Sequence, residues 1–233
     1  MFQEPDDQFI FICNEAHLAD TNMHSVLRKL RPGCTILSIP LHKKGPVYTI
    51  QPAFPIIPDD EEVIIAYCDG TVKWDRQDFV QKTKGMDGCI VTHTGFHPHT
   101  LSSTRMAFIQ EKEGRVLEIK EKASYTDNPW SEHASSGIYY FRKGNYLKKY
   151  SAIMFERDLS YAGEYYVTLM YNPMIEDGLN IGFYDTEFVA ILGTPEDTRN
   201  FEAWATLVKN THINSDADIV KCFRYWQRYW QTP

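Results

Sequence analysis

The sequence predicts an α/β protein built on an open, mainly parallel sheet with antiparallel insertions. Short apolar runs alternate with amphipathic stretches through the first half of the chain, Gly and Pro punctuate them, and beyond about residue 100 the pattern tightens into hairpin-like material. The first run, Phe9-Ile10-Phe11-Ile12-Cys13, is too short for a stable helix and suits a strand covered on both faces. Segment 20–30 follows as a helix, capped by Asp20 or Thr21, with Met23, Val26, Leu27 and Leu30 on one side and Pro32-Gly33 ending it. Residues 34–39 and 63–68 read as the next strands. Asp75 caps a helix with Asp78 in its first turn and Phe79 and Val80 facing inward, and 88–92 supplies another strand.

In the second half, 106–109, 116–119 and 136–141 read as strands joined by polar turns. Helices are expected over 143–157 and 162–176, then strands over 179–183 and 188–192. Thr194 and Pro195 open a last helix carrying Phe201 and Trp204. Residues 1–210 are read as one body. Residues 211–233 are expected as an aromatic helical tail whose Phe223, Tyr225, Trp226, Tyr229 and Trp230 need a partner surface.

Composition narrows the function. The 233 residues are 43% apolar and carry a net charge of −7 with no long basic block, which argues against nucleic acid as a partner. No apolar stretch reaches the roughly 20 residues of a membrane span, and the N-terminus is acidic, so no membrane or secretion signal is expected. The 5 cysteines are odd in number and unpaired in spacing, which fits a reducing, cytoplasmic setting. The chain lacks a Ser nucleophile elbow, H-E-x-x-H, a Walker loop and G-x-G-x-x-G. His93, His97 and His99 match no closed zinc signature and are expected as mobile loop residues or substrate-edge contacts.

Some polar residues invite a chemical reading. In Tyr67-Cys68-Asp69-Gly70 a carboxylate follows a strand, where ligands collect in open α/β sheets; the plain alternative is a surface Asp-Gly turn. Asp185 follows another strand-like run, and two such carboxylates could hold Mg2+ with substrate phosphates and waters completing the octahedron; a polar turn explains it equally. Glu118-Ile119-Lys120-Glu121-Lys122 reads first as a solvated strand edge, although a loop returning to a cleft could set Lys122 against phosphate. Gly45-Pro46 could wall a flat base, or simply start a helix.

In their order and intervals these segments resemble the sugar-phosphate nucleotidyltransferase family, nucleotide-sugar pyrophosphorylases, over most of residues 8–205. The resemblance implies a Rossmann-like, nucleotidyltransferase-like fold. It implies Mg2+ at Asp69 and Asp185, sugar recognition by Glu121, and a sugar-phosphate contact from Lys122. Gly45 matches a base contact, Gly137 lies on the strand lining the sugar pocket, and Glu164 in Gly-Glu-Tyr-Tyr matches an acidic sugar-side segment. Ile191-Leu192-Gly193-Thr194-Pro195-Glu196-Asp197 is also characteristic. The implied reaction joins a nucleoside triphosphate to a sugar 1-phosphate and releases pyrophosphate, serving nucleotide-sugar and polysaccharide biosynthesis. One departure stands out. The family's opening strand and Gly-rich phosphate loop should precede Phe9, so activity is expected to need a complementing segment or homo-oligomer. The alternatives are a noncatalytic nucleotide-sugar binding or assembly domain, and a metal-dependent glycosyltransferase, against which the single Asp69, with no Asp-x-Asp pair, counts.

Overall fold

The first apolar run becomes strand β1 (Ile10–Asn14), which lies parallel to β2 (Thr35–Ile39), with Ile10 opposite Thr35 and Asn14 opposite Ile39. This computed structural model describes residues 7–95, 97 and 106–210, the last four of these by backbone alone. Two helices, α1 (Glu15–Asp20) and α2 (Met23–Leu30), fill the connection where one was expected. Asn14 is the reason: its Oδ1 accepts from the Ala16 N–H at 2.8 Å and starts a helix before Asp20. Val26 and Leu30 on α2 are exposed.

After α3 (Pro46–Ile50) come β3 (Val63–Ala66), β4 (Gly70–Lys73), α4 (Arg76–Thr83) and β5 (Gly88–His93). Asp75 caps α4 as expected, accepting from Gln77 N–H at 2.8 Å and Asp78 N–H at 3.1 Å. Asp75→Ala should therefore lower unfolding free energy by about 1 kcal/mol in urea titrations, and an unchanged midpoint would count against the cap. Phe79 is buried, but Val80 faces solvent.

The second half contains β6 (Ala107–Lys112), β7 (Arg115–Glu121), β8 (His133–Phe141), α5 (Gly144–Glu156), α6 (Tyr171–Glu176), β9 (Ile181–Asp185), β10 (Phe188–Ile191) and α7 (Pro195–Asn210). The helix expected over 162–176 begins only at Tyr171, after a short 3-10 turn at 167–170. Ala162 and Gly163 both take positive φ, 51° and 79°, which no α-helix accommodates. Thr194 opens α7 through a reciprocal cap: its hydroxyl accepts from Asp197 N–H at 3.1 Å while Asp197 Oδ2 accepts from Thr194 N–H at 3.0 Å.

The open, mainly parallel sheet is not what forms. The largest sheet runs β3-β8-β5-β9-β7-β6, and β6 pairs again with β8, so five of its strands close into a barrel with β3 outside. Within it only β5 and β9 are parallel; the other pairings are antiparallel. Closure depends on the length of β8. Its far half pairs with β3 and β5, while His133 and Ala134 reach Ile109 and Phe108 of β6. Between the halves the register against β5 slips from Val91–Ile138 to Thr92–Ser135, and Gly137 sits in the slip at φ 76°. Such a bulge bends and twists a strand, which curls the sheet back on itself.

β5 is buried along its whole length. Ile90 joins Tyr139, Phe141, Leu147, Tyr150 and Tyr171 in one core, while Cys89 and Val91 join Phe79, Ile138, Tyr140 and Tyr184 in another. The paired strands β1 and β2 form a sheet of their own, as do β4 and β10. Ile10 and Ile12 of β1 and Val63 and Ile65 of β3 nonetheless pack against the same core. Among the described residues no helix is long and apolar enough to cross a membrane.

Candidate functional site

β7 ends at Glu121, and the next residue, Lys122, turns the chain at φ 54°. Glu121 is buried, and its carboxylate accepts from the Thr168 hydroxyl at 2.6 Å. Burial raises its pKa, opposed by the Thr168 bond and the Lys122 charge and reinforced by Glu164. A carboxyl with a raised folded pKa contributes fully below its unfolded value, and that contribution is lost as pH rises through the folded one. Glu121→Gln should therefore raise the urea midpoint at pH 7 and leave it nearly unchanged at pH 4. Equal shifts at both pH values would contradict the burial explanation.

The Lys122 ammonium donates to the Tyr166 hydroxyl at 2.5 Å, and that hydroxyl donates to Glu164 at 2.8 Å. It also lies over the rings of Tyr166 and Tyr161, 4.5 and 5.2 Å from their centroids. Burial lowers its pKa, but the Tyr166 contact and the neighbouring Glu164 and Glu121 leave it raised on balance. Lys122 is thus a fixed cation beside a buried carboxyl.

Gly45 and Gly137 border this cluster, each packed by a neighbour. A Cβ on Gly45 would lie 2.5 Å from the Tyr165 nitrogen, because Lys44 and Val47 exchange backbone bonds with Tyr165, each at 3.0 Å. A Cβ on Gly137 would meet the Tyr67 ring at 3.3 Å. Tyr67 stands edge-on to Tyr139, 5.3 Å between centroids, and the Tyr139 hydroxyl bonds Ser135 at 2.9 Å. Burial raises the Tyr67 pKa, with Tyr139 and Glu121 adding to it. Tyr139 lies on the 136–141 strand that the resemblance sets along the sugar pocket, Tyr166 and Thr168 follow Glu164 in the acidic sugar-side segment, and Tyr161 carries no such signal.

The two aspartates are placed differently. Asp69 is exposed in the β3–β4 turn, where its carbonyl accepts from Leu192 N–H at 2.6 Å. Its Oδ2 lies 2.8 Å from where a Gly193 Cβ would stand. In the β4–β10 ladder Gly70 faces Ile191 at this end and Lys73 faces Phe188 at the other. Asp185 belongs to the far end, since the hydroxyl of the adjacent Thr186 donates to the Lys73 carbonyl. Four residues of extended chain, ~13 Å at a rise of ~3.3 Å each, separate Asp69 from Lys73. One Mg2+ held by both carboxylates would need their oxygens within about 4 Å, given bonds of ~2.1 Å. The register thus sets the two carboxylates toward opposite ends of one ladder, and among the described residues no group of three His, Cys, Asp or Glu side chains could hold a metal.

Asp185 Oδ1 instead accepts from Thr92 at 2.6 Å and from His133 Nδ1 at 2.9 Å. That bond and the Asp185 charge raise the His133 pKa against its burial. His93 and His97 are buried with rings edge-on at 4.7 Å, and burial pulls His97 down to about 4. His93 lies on β5, not in a loop; His99 and the aromatic tail lie outside the described residues.

The fold is similar to those of several solved nucleotide-sugar pyrophosphorylases and nucleotidyltransferases, at 13–18% sequence identity. The nucleoside-diphosphate-sugar pyrophosphorylase from Vibrio cholerae RC9 superposes at TM-score 0.67 and 18% identity, over 84% of this chain and 80% of that one. A protein from Bacillus anthracis assigned as a glucose-1-phosphate thymidylyltransferase gives 0.62 and 15%, over 90% and 78%. The inositol-1-phosphate CTP transferase from T. maritima gives 0.56 and 13%, over 82% and 71%. No family model and no curated protein matches the sequence.

Proposed function

We propose that the chain takes part in nucleotidyl transfer from a nucleoside triphosphate to a sugar 1-phosphate. The observation that carries this reading is the Lys122–Tyr166–Glu164 chain of hydrogen bonds beside the buried Glu121. A sugar 1-phosphate offers the matching groups: a phosphate for the fixed ammonium and hydroxyls for the carboxylates and tyrosines. Its phosphate oxygen attacks the α-phosphorus in line, the bond to pyrophosphate breaks, and Lys122 holds the attacking group without acting as nucleophile. Any divalent requirement then rests on Asp69 and the substrate's phosphates, not on a two-aspartate cage.

The test is to incubate the protein with a divalent salt, nucleoside triphosphates and a panel of sugar 1-phosphates. Nucleotide sugar and pyrophosphate should form. Binding of nucleotide sugar without pyrophosphate release would favour a noncatalytic binding domain, and transfer of the sugar to an acceptor would favour a glycosyltransferase.

A further inference from the structure

We propose that Asp185 serves His133 as its hydrogen-bonded carboxylate at the mouth of the barrel, and shares no cation with Asp69. The inference goes beyond nucleotidyl transfer and stands whether or not that reading holds.

The pair is built into the backbone. Asp185 ends β9 directly opposite Thr92 near the end of β5, and His133 begins β8 opposite Ile109 of β6. Three strands of one closed ring therefore fix the donors and the acceptor, and the His133 ring packs on Phe183 with centroids 4.4 Å apart. An ionised carboxylate only accepts, so both Thr92 Oγ1 and His133 Nδ1 must bring the hydrogen. That assigns the tautomer: Nδ1 carries a proton, and Nε2 is left as the nitrogen able to meet a ligand, on a side chain that is 24% exposed. Both donors converge on a single oxygen, Oδ1, so a divalent ion taking that oxygen would have to displace a hydroxyl and an imidazole already in place, and only Oδ2 would be open to it. Asp69, the other carboxylate, stands across the β4–β10 ladder beside Gly193.

The experiment combines two readouts on wild-type protein, Asp185→Asn, Asp69→Asn and His133→Asn, with folding checked by circular dichroism. NMR of 15N-labelled histidine should show His133 in the Nδ1–H form with a strongly downfield proton, and Asp185→Asn should shift that signal. Electron paramagnetic resonance with Mn2+, with and without a nucleoside triphosphate, should give affinities for Asp185→Asn and His133→Asn within twofold of wild type. Absence of Mn2+ binding in every protein, with the histidine signal shifted as expected, supports the proposal equally. It is overturned if Asp185→Asn and Asp69→Asn each weaken the same Mn2+ site tenfold or more, or if the His133 signal is indifferent to Asp185→Asn. His133→Asn keeps a side-chain N–H near the carboxylate, so it answers the metal question even where Asp185→Asn folds poorly. A tenfold change in Mn2+ affinity there also overturns the proposal.

Discussion

Replacing Lys122 with methionine should weaken sugar 1-phosphate binding about 10- to 100-fold, since a hydrogen bond to a charged group contributes about 1.5–3 kcal/mol and each ~1.4 kcal/mol is tenfold. Methionine keeps the length of the stem over the Tyr161 and Tyr166 rings and removes only the charge and its donors. Tyr166→Phe should have the smaller effect, about 2- to 10-fold, because it frees the ammonium from one hydroxyl and leaves the cation present. Calorimetric titration with a sugar 1-phosphate separates the two. An unchanged dissociation constant in Lys122→Met would remove this cluster from the site, whatever chemistry the protein performs elsewhere.

The largest stability effect should come from Phe141→Ala, a loss of about 3–5 kcal/mol in urea unfolding. Phe141 is fully buried, faces Val63 on one side and Gly88 on the other, and stacks on Tyr171 with centroids 5.0 Å apart and planes 13° apart. Tyr171 in turn donates to the backbone carbonyls of Tyr140 and Cys89, so the stack ties α6 across two strands. Truncation leaves a cavity where three strands and a helix meet, and α6 cannot collapse into it without breaking those bonds. A loss under about 1 kcal/mol would mean the barrel wall relaxes freely around the gap.

Local signals told most of the element types, and tertiary closure told the rest. The continuous apolar runs at β1, β2, β3 and β5 announce strands because both faces are covered, and Asp75 and Thr194 announce helix starts because a side-chain oxygen must satisfy early N–H groups. The barrel was not legible. It depends on His133–Ser135, a short stretch with no strand signature of its own, extending β8 beyond the bulge at Gly137 so that it pairs with β5 and β6. The helix expected over 162–176 failed at Ala162 and Gly163 because a periodicity argument cannot see a positive φ. At the site, the Glu121-Lys122 pair and Gly-Glu-Tyr-Tyr could be picked out as polar interruptions. Strand-end logic treated Asp69 and Asp185 alike, and only the β4–β10 register shows that they belong to opposite ends of one ladder.

The parallel pairing of β5 with β9 joins residues far apart in the chain: Thr92 and its partner Asp185 are 93 positions from each other. Contacts of that range slow folding, because the intervening loop must be closed before the pairing rewards it. During synthesis β5 emerges well before its parallel neighbour exists, with an apolar edge waiting. Refolding from denaturant should accordingly be slow and concentration-sensitive, and chaperone supply should govern the yield of soluble protein.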